Sequence, residues 1–219
     1  MTEPDGSTLG VARLRSDYQA AGLRRADLPA DPMELWRTWL ADAQAAGLPE
    51  ANAMVVSTVD PDGAASVRTV LCKGADARGF VFFTNYTSRK GTAITAHPTV
   101  ALLFPWHPLS RQVIVNGVAE RVPRAESEAY FATRPRGAQL SATASAQSRV
   151  VADRPTLEAG AATVASTYAD ADVPCPPWWG GFVVRPITVE FWQGRHDRLH
   201  DRLRFVASDG GWEIERLYP

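Results

Sequence analysis

The sequence predicts a mainly β protein with flanking helices, an α+β chain whose strands form a closed or nearly closed antiparallel barrel. Three observations lead there. Six to eight short apolar or β-branched segments recur, mostly at hairpin distance. The helical segments are few and clustered, which does not fit alternating βαβ units. No GxGxxG follows a strand and there is no GxxxxGK[ST] loop, so the dinucleotide-binding and P-loop folds are set aside.

The elements follow in chain order. The first thirty residues are polar and Arg-rich and read as a partly mobile arm ahead of a single domain over residues 31–219. Asp31 is a good N-cap with Pro32 at the first helical position, and Trp36, Trp39, Leu40 and Ala43 follow at helical spacing up to a stop at Gly47. Strand texture begins at Ala53–Val59, turns at Asp60-Pro61-Asp62-Gly63 and resumes over residues 66–73. Further strands are expected at residues 79–84, 99–105 and 112–122. A helical stretch over 125–133 is interrupted by Arg134-Pro135-Arg136-Gly137, and in the alanine-rich region beyond, the best helix starts near Pro155. Strands return at 181–194, 203–208 and 212–217, the last two joined by the Asp209-Gly210-Gly211 turn.

Composition excludes several functions. The formal net charge of -1 over 219 residues does not suit a nucleic-acid binder relying on bulk positive charge. No apolar run approaches the roughly 18 residues of a membrane span, and no apolar stretch near the start reads as a secretory signal. A soluble, cytoplasmic chain is expected. The two cysteines, Cys72 and Cys175, form neither a disulfide framework nor a zinc pattern. Among 23 Lys and Arg residues only two are lysines, Lys73 and Lys90. A lysine kept against so strong an arginine bias is a candidate for a specific task, because a compact ammonium and a planar guanidinium are not interchangeable.

Four segments carry residues suited to anions. Arg68 and Lys73, five apart, fall on opposite faces of an ideal strand, which implies solvent exposure or two separate anionic targets. In Asn85-Tyr-Thr-Ser-Arg-Lys-Gly91, Thr87 or Ser88 can cap a short helix whose first turn carries Arg89 and Lys90. Cations there oppose the helix dipole unless a phosphate sits on the free N–H groups; the alternative is a solvated basic turn. Tyr130 and Arg134 form an i,i+4 pair that either clamps a phosphate or packs guanidinium on ring. If residues 198–202 are extended, Arg198, His200 and Arg202 share one face, as a surface salt-bridge ladder with Asp197 and Asp201 or as a ligand wall beside Trp192. Cations, hydroxyls and aromatics without a metal set or an activated nucleophile point to a site that leaves the hard chemistry to a cofactor.

Together these motifs resemble the pyridoxamine 5'-phosphate oxidase family. The resemblance rests on Arg68-Thr-Val-Leu-Cys-Lys73, Thr84-Asn-Tyr-Thr-Ser-Arg-Lys90, Leu103-Phe-Pro-Trp106, Arg111-Gln-Val113, Arg134-Pro-Arg136, Gln147-Ser148, Trp179-Gly-Gly181, Glu190-Phe-Trp-Gln-Gly194 and Arg198-Leu-His-Asp-Arg202. It runs from about Leu14 to Pro219. The resemblance implies a homodimeric FMN-binding split β-barrel with the flavin at the subunit interface. It implies FMN contacts from Arg68, Thr84, Ser88, Arg89, Lys90 and Gln112, with Gln147, Ser148, Trp192 and Arg202 completing the site partly from the other subunit. Lys73, Tyr130 and Arg134 are implied for the substrate phosphate, Lys73 also bordering the flavin, with Arg198 and His200 over the substrate ring as catalytic residues and Arg15 and Tyr18 as cover.

Two positions depart from the family pattern. Ala138 stands where a serine commonly meets the substrate phosphate, with the N–H groups of Gly137 or Ala138 as possible compensation; Phe83 replaces a frequent tyrosine beside the flavin, where a backbone contact survives the change. The implied reaction oxidises the 4'-carbon of pyridoxamine or pyridoxine 5'-phosphate to pyridoxal 5'-phosphate, with O2 as acceptor and H2O2 as product.

Overall fold

The computed structural model describes Tyr18 and residues 22–219; Arg15 lies outside the described residues. Helix α1 (Pro32–Ala45) starts at its anticipated cap, where the Met33 N–H donates to Asp31 Oδ1 at 2.9 Å. Its apolar face enters the barrel as a plug. Trp36 meets Phe80 and Phe104 edge-on at 5.2 and 5.4 Å, and Trp39 meets Phe191 at 5.1 Å.

The strands are β1 (Ala53–Val59), β2 (Ala65–Leu71), β3 (Gly74–Asp76), β4 (Gly79–Asn85), β5 (Thr99–Trp106), β6 (Arg111–Arg121), β7 (Trp179–Gln193), β8 (Asp201–Ser208) and β9 (Gly211–Arg216). They pair antiparallel in the order β2-β1-β5-β6-β7-β4-β3, while β8 pairs β7 and β9 pairs β8. This is the anticipated antiparallel split barrel. Strand β7 makes the split: its first half pairs β4, its second half pairs β8, and β6 runs along both. Between the halves the partner of β6 jumps from Thr188 to Pro186, leaving Ile187 as an extra residue. Such a bulge bends the strand and tolerates Pro186, which has no N–H for the ladder. Gly117 opposite is obligatory, since a Cβ there would lie 2.4 Å from the Arg185 carbonyl oxygen.

Helices α2 (Arg89–Ala96), α3 (Arg124–Ala132), α4 (Arg136–Ala144) and α5 (Arg154–Thr167) flank the sheet. Two expectations are corrected and one, the helix near Pro155, is met and extended. Strand β2 ends at Leu71, and the Lys73 N–H donates to Val81 O at 2.7 Å ahead of β3. The backbone turns between Arg68 and Lys73, so five-residue parity no longer separates them. The alanine-rich region holds α4 as well as α5, because Pro135 breaks α3 and serves as the entry to a new helix. Residues 196–198 form a 3-10 turn with positive φ at Asp197 (55°) and Arg198 (60°), and β8 begins only at Asp201. Arg198, His200 and Arg202 therefore do not share an extended face.

Candidate functional site

A cavity of about 580 Å³ opens between β2, β4, α2 and α4. Its apolar walls are Val70, Leu71, Phe83 and Trp179, and it receives four cations: Arg68, Lys73, Lys90 and Arg134. Among the described residues, Lys73, Lys90 and Arg134 make no ion pair. Unpaired cations around one concave, partly aromatic wall are a receptor for anions.

Each cation is held by local chemistry. Arg68 donates through Nη1 to Thr58 Oγ1 (2.7 Å) and Val56 O (3.2 Å), and through Nη2 to Ser66 Oγ (2.6 Å). Arg89 donates through Nε to Asp60 Oδ2 (2.7 Å), whose other oxygen accepts from Ser66 Oγ (3.2 Å). Asp60 thus braces both arginines, and the Arg89 hydrogen bond holds its carboxyl below the usual range against the opposing effect of burial. Sequence reading missed Asp60, because Asp-Pro-Asp-Gly is an ordinary turn signal. Ser88 caps α2: Oγ accepts from the Gly91 N–H (3.3 Å) and donates to Asn85 O (2.7 Å), so its hydroxyl is engaged within the protein. Lys90 Nζ donates to Gln147 Oε1 (2.7 Å) and Thr84 Oγ1 (3.1 Å), both neutral. Burial, then the Arg68 charge, brings Lys90 down to about 8.

Arg134 lies over the Trp179 ring at 5.0 Å, and its buried Nε has no hydrogen-bond partner. Tyr130 instead stacks on Phe83 at 3.9 Å and borders a second cavity of about 370 Å³ together with Lys73. The i,i+4 pair therefore does not pack guanidinium on phenol. The Ala138 N–H donates to Pro135 O at 2.8 Å, which removes it as a substitute for the missing hydroxyl. Ser141 on α4 and Ser145 just past its end, which the sequence did not single out, line the main cavity.

A second cluster lies at the other end of β7. Tyr18 meets Trp192 at 5.8 Å and His200 at 5.7 Å, and Trp192 meets His200 at 4.8 Å. Gly194 makes room for it, since a Cβ there would lie 2.7 Å from Tyr18 Cγ. Gln112 and Arg202 flank Trp192 on the neighbouring strands, but the Arg202 guanidinium is taken by Glu190 (2.7 and 3.1 Å) and Tyr218 O (3.0 Å). Ser148, at φ 72°, borders a separate groove between the 145–151 loop and α5. Within one chain the structure gathers Arg68, Lys73, Phe83, Thr84, Lys90, Arg134 and Gln147 around the main cavity. Tyr18, Gln112, Trp192, Arg198, His200 and Arg202 do not line it.

Residues 40–168 match the family model described as pyridoxamine 5'-phosphate oxidase, and residues 179–219 match the pyridoxine 5'-phosphate oxidase C-terminal dimerisation region. The chain belongs to the pyridoxine/pyridoxamine 5'-phosphate oxidase family. A family member from Nocardioides sp. (strain ATCC BAA-499 / JS614) is 56% identical over 96% of this chain and 99% of its own. Another from Salinispora arenicola (strain CNS-205) is 53% identical over 98% of each. The crystal structure of PhzG from Burkholderia lata 383, in complex with tetrahydrophenazine-1-carboxylic acid, superposes with a TM-score of 0.86 at 30% identity. That match covers 93% of this chain and 100% of the other. A pyridoxamine 5'-phosphate oxidase-related, FMN binding protein from Nostoc punctiforme PCC 73102, at 18% identity and a TM-score of 0.68, shares the fold over 84% of this chain and 97% of its own.

Membership makes the protein an oxidoreductase that carries the family's C-terminal dimerisation region. Among the described residues no group of three or more His, Cys, Asp or Glu can hold a metal. No described helix is long and apolar enough to cross a membrane.

Proposed function

We propose that the protein is an FMN-dependent oxidase that converts pyridoxamine and pyridoxine 5'-phosphates to pyridoxal 5'-phosphate. O2 is the acceptor, H2O2 the product, and ammonia is released from the amine; the role is vitamin B6 biosynthesis and salvage in the cytoplasm. The observation that carries this reading is the cavity where three cations without carboxylate partners meet an aromatic wall. A half-buried Lys90 kept near 8 and an orphaned Arg134 Nε both gain from a bound anion. Flat apolar surface from Val70, Leu71 and Phe83 suits a planar ring system, so the residues present fit FMN.

In this reading Arg68, Arg89 and Lys90 hold the FMN phosphate, with Thr84, Gln147 and the α2 turn capped by Ser88 beside them. Lys73, Tyr130 and Arg134 hold the substrate phosphate, Lys73 also bordering the flavin, with Ser141 or Ser145 close by in place of a hydroxyl at Ala138. FMN held there would supply the two-electron acceptor for the hydride of the substrate carbon, with O2 as the terminal oxidant. The chain's own groups bind, orient and exclude water, which is where a cofactor enzyme gains rate. The Tyr18, Trp192, His200 cluster lies apart from the cavity in one chain, and the C-terminal dimerisation region gives the means to bring it there. A homodimer in which Gln112, Ser148, Trp192, Arg198, His200 and Arg202 complete the partner's site follows.

The test is aerobic incubation of FMN-loaded protein with each phosphorylated vitamer, following pyridoxal phosphate and peroxide together. Product from neither substrate, with FMN bound, overturns the reading. Lys73→Ala is expected to raise the substrate KM far more than it loosens FMN; the reverse pattern shows the two anion sites exchanged.

A further inference from the structure

Resting on that reading, the structure also bears on the chemical form of His200. We infer that His200 is held as the neutral Nε2–H tautomer and serves the substrate as a hydrogen-bond donor, while its Nδ1 locks the turn that carries Arg198. The Arg195 backbone N–H donates to His200 Nδ1 at 3.0 Å. A backbone N–H has a proton to give and no lone pair, so Nδ1 carries the lone pair and the proton of the neutral ring sits on Nε2. Trp192 and Tyr18 pack against the imidazole at 4.8 and 5.7 Å and fix its orientation. Nε2 has no hydrogen-bond partner among the described residues.

The surroundings decide between donor and base. A histidine that takes a proton at Nε2 needs that nitrogen empty, and is commonly assisted by a carboxylate on the far nitrogen. Here Nε2 is filled and Nδ1 faces an amide. The nearby Asp201 carboxylate is already occupied by Arg216 Nη1 (2.6 Å) and by the Leu23 N–H (3.0 Å). A proton arriving at His200 must enter at Nδ1 and break the Arg195 hydrogen bond. That bond closes a loop whose Asp197 and Arg198 are consecutive left-handed residues, φ 55° and 60°, a conformation unfavourable for non-glycine residues unless surroundings impose it. In this inference the imidazole does two jobs: with the Leu199 N–H to His196 O bond (3.1 Å), Nδ1 braces the backbone on which Arg198 stands, and Nε2–H is left to donate to the substrate.

The experiment uses the FMN-loaded protein labelled with 15N-histidine, its His200 ring signals assigned by their loss in His200→Ala. At pH about 8.5, above the ordinary imidazole range, Nε2 is expected to be the protonated nitrogen and Nδ1 the bare one; a protonated Nδ1 overturns the inference. Kinetics separates the two jobs. His200→Asn keeps an acceptor near Nδ1 and loses the Nε2 donor, so kcat/KM for pyridoxamine 5'-phosphate falls by about tenfold, the worth of one hydrogen bond. His200→Ala also frees the turn and falls by about another tenfold, with FMN affinity unchanged in both. A wild-type kcat/KM in His200→Asn refutes the donor role, and equal values in the two variants refute the lock. If the unmodified protein turns over neither phosphorylated vitamer, the proposed function fails, and the ring spectrum alone decides the tautomer.

Discussion

Lys90 allows the electrostatics of the cavity to be tested quantitatively. Its ammonium is half-buried, contacts only the neutral Gln147 and Thr84 oxygens, and shares the cavity with Arg68, which together bring it to about 8. Roughly nine in ten Lys90 side chains are then charged at pH 7, half at pH 8 and one in ten at pH 9. A phosphate monoester, with its second pKa near 6, is roughly nine-tenths dianionic at pH 7 and almost wholly so at pH 8 and 9. Binding it restores the Lys90 proton, so FMN affinity is expected to fall roughly ninefold between pH 7 and pH 9. The sign is opposite for the free protein. A lysine whose folded pKa is lowered destabilises the fold while charged, so stability is gained as pH rises from about 8 toward the ordinary 10.5. The assay is titration of apoprotein with FMN, read by quenching of flavin fluorescence at pH 7, 8 and 9, beside Lys90→Met. The variant should bind about 10- to 100-fold more weakly, from loss of a charged hydrogen bond, and without that pH dependence. Equal slopes for Lys90→Met and the unmodified protein refute the assignment of the titration to Lys90.

Three further outcomes are expected. Gly194→Ala pushes a methyl to 2.7 Å from Tyr18 Cγ and 3.0 Å from Ser110 Cβ, so Tyr18 is displaced from Trp192 and His200; substrate KM should rise with FMN content unchanged, and an unchanged KM counts against Tyr18 as a substrate contact. Phe205→Ala opens a cavity beneath fully buried Phe191 and costs about 3–5 kcal/mol, which at this chain length lowers Tm by roughly 6–20 °C in calorimetry. Cys72 is buried and its thiol is pushed up to about 11; in mass spectrometry at pH 8 it should resist alkylation until the protein is unfolded, and rapid native labelling contradicts this.

Much of the fold was legible because its signals are local. Asp31 and Pro32 start α1 where capping chemistry requires, and alternation along β1 and β5 buries Met54, Val56, Val100, Leu102 and Phe104. What escaped involves small breaks in periodicity. Two residues past Leu71 reverse the relation between Arg68 and Lys73, and a left-handed pair at Asp197 and Arg198 dissolves the extended face expected for residues 198–202. Pro135 ends one helix and begins another, whereas the residues 134–137 read in the sequence only as an interruption.

For the site, the sequence by itself determined the kind of chemistry: lone lysines, arginines beside a helix start and aromatics in motifs that resemble one family. Residue type sets charge and donor geometry wherever the residue ends up. Only the tertiary structure decided which cations share a cavity, that Asp60 braces Arg68 and Arg89, that Arg202 is occupied by Glu190, and that His200 receives the Arg195 N–H. Those facts depend on where a strand stops and which carbonyl or carboxylate then lies within about 3 Å, a contact range too short for sequence spacing to specify. The two lysines illustrate both halves: their rarity marked them, and the fold placed both on one cavity without a carboxylate partner among the described residues.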